Sequence, residues 1–175
     1  MSERILFKPR NGKEVLQAAP PGTALYLYSD LASDPRPPIE VLMSMGRDNL
    51  ILLQNPDNMK SGHWISLSFR PELRSVYFFS SYGGMPDREK MSWLSEAKRK
   101  RSGQYRNVLN DGLKVLAQNG WTIHYNDYPF QRIGDRTATC GIWATAFMNS
   151  GMDPEEFEEY HLPVEDYYRM YFMKE

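Results

Sequence analysis

The chain has a single cysteine, Cys140, in 175 residues, so no disulfide can form within it. A disulfide-stapled scaffold is excluded, and a reducing compartment suits the free thiol. There are only three histidines, and no Cys/His cluster has the spacing of a metal site. Charge of one sign is also missing. The formal net charge of −1 gives no general pull toward nucleic acid or acidic membranes. No apolar run approaches the roughly 20 residues that span a bilayer, and the N-terminus lacks the apolar stretch of a signal peptide. No Gly-rich loop leads into a helix in the phosphate-cradling pattern, and there are no internal repeats or low-complexity tracts.

What remains is the composition of an ordinary soluble globular protein, expected to form a single domain over residues 1–175. Residues 24–28 read as a short strand. A Pro-rich turn then leads into a helix over 39–45, with Pro38 at its first position and Gly46 past its end. Residues 49–54 read as a buried strand, followed by a turn-rich loop ending at Gly62. The alternation over 63–69 and the second run over 75–79 predict a hairpin. Residues 86–100 are charged and helix-prone. Residues 106–118 place Val108, Leu109, Leu113 and Leu116 on one helical stripe. A further strand is expected over 122–125, then a loop over 126–139. Helical spacing returns at Cys140 and stops at Gly151. Asp153-Pro154-Glu155-Glu156 reads as an N-cap with proline at the first helical position, and a last amphipathic helix is expected over 163–173. This is an α+β pattern, a small central sheet with flanking helices.

A lone cysteine is most often a small buried hydrophobe, but the surroundings of Cys140 point further. It follows Thr137-Ala138-Thr139, precedes Gly141 and opens an apolar helix. There the macrodipole favours thiolate, and reactive cysteines in such sites have pKa values lowered to roughly 3.5–7.5. Gly141 leaves room for a substrate backbone, and nearby N–H groups could face an oxyanion. Among the histidines, His124 and His161 suit structural or solvated roles. His63 follows Gly62 at the mouth of a strand, beside Trp64, where a side chain can reach a cleft. Gln131, a short loop before Cys140, offers an amide donor of the kind an oxyanion hole uses. Lys98-Arg99-Lys100-Arg101 is a basic run that reads mainly as a solvated helix end, with nucleic-acid binding as the sharper alternative. The aromatic tail, Tyr160, Tyr167, Tyr168, Tyr171 and Phe172, has the spacing of core packing.

The ordered string Gly62-His63-Trp64, Tyr77-Phe78-Phe79-Ser80-Ser81-Tyr82-Gly83-Gly84, Phe130-Gln131 and Thr139-Cys140-Gly141 resembles the adenain family. These are the maturation proteases of adenoviruses, with relatives in virophages, large DNA viruses and Polinton-type transposons. The ubiquitin-like-modifier proteases are more distant relatives. The resemblance spans about residues 28–149 and implies a papain-like α+β cysteine peptidase. In it Cys140 is the nucleophile, His63 the base, and Gln131 with the backbone N–H of Cys140 the oxyanion donors. Trp64 would pack beside the histidine, and Trp64 and Gly141 would border the substrate. One position departs from the family. Where its members carry an acid that orients the histidine, this chain has Ser80, whose hydroxyl can fix the imidazole tautomer but supplies no charge. Asp87 is the nearest downstream acid that could substitute.

The resemblance further implies an endopeptidase acting on viral capsid or other precursor polypeptides after small, Gly-rich sites. It would work in the virion and in the host cytoplasm or viral factory, with no required cofactor or metal and no membrane partner. An activating peptide or DNA, which the adenovirus enzyme uses, stays open. The alternatives are a deubiquitinase- or deSUMOylase-like protease and a non-catalytic binding module on the same fold.

Overall fold

Alternation along the strands puts apolar side chains on both faces of the sheet, and helices cover both. The computed structural model describes residues 10–133 and 138–173, with backbone alone at 59–61. The elements run α1 (Gly12–Ala18), β1 (Ala24–Leu27), α2 (Tyr28–Ser33), α3 (Pro38–Met45), β2 (Asp48–Asn55), β3 (Asn58–Arg70), a 3₁₀ turn (Pro71–Leu73) and β4 (Ser75–Ser80). Then come α4 (Arg88–Trp93), α5 (Glu96–Arg101), α6 (Val108–Gln118), β5 (Thr122–Tyr125), α7 (Cys140–Ser150), α8 (Pro154–Tyr160) and α9 (Val164–Tyr171). The strands form one sheet in chain order, β1-β2-β3-β4-β5. The two edge pairs are parallel and the two central pairs antiparallel.

One face carries Leu50, Trp64, Tyr77 and Phe79 against α7, Phe157 of α8 and Tyr167 of α9. The other carries Ile51, Leu53, Ile65, Leu67 and Phe78 against α2, α3 and α6. The result is a three-layer α+β domain. Helix α7 crosses β3 and is buried from Cys140 to Met148, so it is apolar all round rather than amphipathic. Beneath it β3 offers Trp64 at the helix start and then Ser66 and Ser68, whose small side chains let the helix lie close to the sheet.

Four expectations needed correction. Helix α1 falls where no element was expected. A capping box holds its start, with the Asn11 side chain accepting from the Glu14 N–H at 2.9 Å and Glu14 reaching back to the Asn11 N–H. Tyr28 opens α2 rather than ending the strand, because its ring is buried and its hydroxyl binds Asp87 at 2.6 Å. The loop expected to end at Gly62 is a tight hairpin turn, and β3 already starts at Asn58. The helix expected over 86–100 is two, α4 and α5, because the Ser95 hydroxyl caps a fresh start by accepting from the Lys98 N–H.

Candidate active site

The pairing of β3 with β4 stops where Ile65 meets Ser80, while β3 runs on past it through Trp64, His63 and Gly62. Those residues pair only with β2, so β3 has an open edge there, and α7 begins against it. The Cys140 Sγ lies 4.0 Å from the Gly62 carbonyl oxygen. The N–H groups of Trp64, Gly141 and Cys140 are directed at the sulfur. The nucleophile candidate therefore sits against the backbone on either side of His63.

His63 is fully buried. Its ring stacks on Tyr82, with centroids 3.9 Å apart and planes 9° from parallel, and Trp93 lies 6.4 Å away. Nε2 is 2.9 Å from the Ser80 Oγ, and Nδ1 has no hydrogen-bond partner. A base working through Nδ1 needs its lone pair there, which places the proton on Nε2 and makes the Ser80 oxygen its acceptor. Ser80 is itself held. Its Oγ also accepts the Tyr82 N–H at 3.3 Å, its own N–H donates to the Asn126 Oδ1 at 3.2 Å, and the Asn126 amide donates to its carbonyl at 2.7 Å.

Ser81, facing the other way, holds Gln131. The Ser81 hydroxyl donates to the Gln131 Oε1 at 2.6 Å, and its carbonyl accepts the Gln131 N–H at 3.1 Å. With Oε1 occupied by Ser81, and by the Thr139 hydroxyl at 3.4 Å, the Nε2 end of Gln131 is left as the donor. The two serines at the end of β4 thus orient two different candidate groups.

Burial dominates the electrostatics. It pushes the His63 imidazole down to about 3 and raises the Cys140 thiol, against the opposing N–H groups and the Arg10 guanidinium. In this closed arrangement both groups are neutral at pH 7, whereas the helix start alone predicted a thiolate. Transfer of the thiol proton to Nδ1 would require these groups to gain solvation or charge support.

Other expected positions lie differently. Trp64 packs on the face opposite His63, beside Gly141, and its Nε1 donates to the Arg10 carbonyl at 3.1 Å. Tyr82 is the histidine's stacking partner instead. A Cβ on Gly141 would stand 3.2 Å from the Val15 Cγ2 and 3.4 Å from the Trp64 Cδ1. The missing side chain therefore makes room for packing rather than for a substrate. Asp87 turns away from the histidine: its carboxylate accepts from the Tyr28 hydroxyl and, at 2.8 Å, from the Asn110 N–H, with Lys90 at 3.8 Å. Thr137 lies outside the described residues. The basic run is paired internally, Lys98 and Arg101 with Asp57, Lys100 with Glu96, and Arg99 with the Leu94 carbonyl. Of the tail aromatics, Tyr167 is in the core, Tyr168, Tyr171 and Phe172 pack against it, and Tyr160 is exposed. Among the described residues no group of three acidic, His or Cys side chains could hold a metal, and no helix is long and apolar enough to cross a membrane.

Asn126, Tyr82 and Ser81 were missed in the sequence. Ser81 and Tyr82 stand in the string that carried the resemblance, but Asn126 had only its place after a strand to mark it.

No family model matches the chain. It is 32% identical over 110 residues to the uncharacterized protein V9 of Sputnik virophage, covering 62% of this chain and 60% of the relative. Two solved structures of bacterial effectors align loosely. ChlaDUB of Chlamydia abortus is 18% identical, with TM-score 0.34, over 69% of this chain and 52% of its own. RavZ of Legionella pneumophila is 14% identical, with TM-score 0.32, over 84% and 45%. The chain thus spans 60% of the virophage relative, about half of ChlaDUB and less than half of RavZ, and structural likenesses this loose carry no argument.

Proposed function

We propose that the chain is a thiol endopeptidase of the adenain type, acting in virion maturation on precursor polypeptides cut after Gly-rich sites. The observation that carries this reading is the split use of the His63 ring. Nε2 is held by Ser80, buried Nδ1 has no hydrogen-bond partner among the described residues, and the Cys140 Sγ lies 4.0 Å from the carbonyl of Gly62, the residue before His63. A buried nitrogen without a partner is costly unless it has a task.

In this reading Nδ1 takes the thiol proton as sulfur attacks the scissile carbonyl. The oxyanion is met by the Gln131 amide and the Cys140 N–H, and His63 returns the proton to the departing amine. Water then repeats the sequence on the acyl-enzyme. No cofactor is required by these residues. An activating peptide or DNA would act by shifting the neutral, closed pair toward the charged one. The virophage origin of the relative supports a viral setting, and with it the virion and viral factory as the place of action.

The test is alkylation by iodoacetamide together with hydrolysis of a Gly-Gly peptide, in the wild type, Cys140→Ala and His63→Ala. Cleavage lost in both variants, with alkylation slowed at least tenfold in His63→Ala, is expected. Equal alkylation with and without His63, and no cleavage by the wild type, would leave only a binding module.

A further inference from the structure

Beside the start of α7 lies a concavity of about 340 Å³, lined by Tyr128, Phe130, Trp143 and His161 and by residues 162–165. It adjoins the candidate active site through two short links: Phe130 precedes Gln131, and Trp143 stands one helical turn after Cys140. Two of its ring pairs meet nearly at right angles, Tyr128 with Phe130 at 5.0 Å and 80° and Phe130 with His161 at 4.8 Å and 82°, while Phe130 and Trp143 are tilted at 43°. An occupant therefore meets ring faces, where the π charge is negative, as well as edges.

The polar groups agree with that sign. His161 Nδ1 lies 2.9 Å from the Glu158 carbonyl and 3.2 Å from that of Phe157. Two carbonyl acceptors require the proton on Nδ1. Glu165 lines the pocket and makes no ion pair among the described residues, beside the nearly buried Trp143. Glu158 fixes the Tyr128 side of the pocket by accepting the Asp127 and Tyr128 N–H groups at 2.6 and 3.0 Å. Around it, the stretch from Asp153 to Asp166 carries acids at seven of fourteen positions and no Lys or Arg.

We propose that this pocket is a subsite for a cationic side chain, lysine or arginine, of a polypeptide bound across Cys140. An ammonium or guanidinium over such rings gains cation–π attraction and pairs with Glu165. An apolar side chain gains neither of these contacts, and an acidic one would be repelled. The proposal rests on the peptidase reading for the identity of its ligand, but the pocket's charge preference can be measured without catalysis.

The binding arm uses Cys140→Ala and two probes, Nα-acetyl-lysine methylamide and its norleucine counterpart, followed by NMR of the Trp143 indole and His161 imidazole. Lysine should bind about tenfold tighter than norleucine, and Glu165→Gln combined with Tyr128→Ala should bring the ratio close to one. The cleavage arm compares wild-type kcat/KM for Gly-Gly peptides with lysine or norleucine at successive flanking positions. One position should show the same preference, lost in the double variant, with thermal melts checking the fold. Lysine binding without any cleavage would overturn the peptidase reading and keep the pocket. Cleavage with no lysine preference at any position, and equal binding of both probes, would overturn the pocket and keep the peptidase.

Discussion

Replacing Ser80 by aspartate would put a carboxylate against an imidazole that burial has pushed down to about 3. Its position is already prepared, with the Ser80 Oγ 2.9 Å from Nε2 and receiving the Tyr82 N–H. An opposite charge at that distance raises a histidine by about 1–3 units, which is about 1.4–4 kcal/mol in favour of imidazolium. The thiolate–imidazolium pair should become at least about tenfold more populated, so alkylation of Cys140 should speed up and its pH profile move to lower pH. The extra atoms enter a fully buried site, at an overpacking cost of about 1–3 kcal/mol in stability. Ser80→Ala should act oppositely and mildly. It removes the Oγ that meets both His63 Nε2 and the Tyr82 N–H, and the lost neutral bond to the histidine is worth about 0.5–1.5 kcal/mol in the barrier, or roughly 2- to 13-fold in rate. The assay is iodoacetamide alkylation from pH 5 to 9 beside an NMR titration of His63. A folded Ser80→Asp protein with unchanged His63 titration and unchanged alkylation would show that Ser80 does not govern the base.

Glu89 is buried, and burial raises it from 4.5 to about 8 against the weak pull of the Glu89 and Asp87 N–H groups. Its bound proton supports the fold below pH 4.5, and that support is lost as pH rises toward 8. Glu89→Gln should therefore gain stability over the wild type with rising pH, by on the order of 4 kcal/mol at pH 8.5 in urea melts; a pH-independent difference would contradict the assignment. Asn126→Ala removes both bonds to the Ser80 backbone and should cost about 2–4 kcal/mol in chemical denaturation, slowing alkylation as well. Full stability would mean that water replaces the clamp. Gly141→Ala should lower stability by about 1–2 kcal/mol in a thermal melt, since Val15 and Trp64 must give way by tenths of an ångström. An unchanged melt with a raised KM would instead return Gly141 to the substrate.

Much of this was local enough to read along the chain. The period-two alternation from His63 to Phe69, the helical stripe of Val108, Leu109 and Leu113, and the stop at Gly151 depend on residues a few positions apart. The α+β class and the run of helices in the C-terminal third follow from them. So does the placing of Cys140 at a helix start, which needs only the change of period at that residue. The capping box at Asn11 and the Ser95 cap were equally local, and they mark the elements the reading passed over. What the sequence could not supply was the company each group keeps. Asn126 holds Ser80 from 46 positions away, Ser81 orients Gln131 from 50, and Asp87 is claimed by Tyr28 across 59. The state of the candidate pair belongs to the same class. A helix start favours thiolate through a field that acts over one turn, but desolvation depends on everything packed around the sulfur and the imidazole. Only the tertiary structure brings one sheet face, α1 and α9 together around Cys140 and buries His63 against Tyr82, and the exclusion of water is what drives both groups toward neutrality.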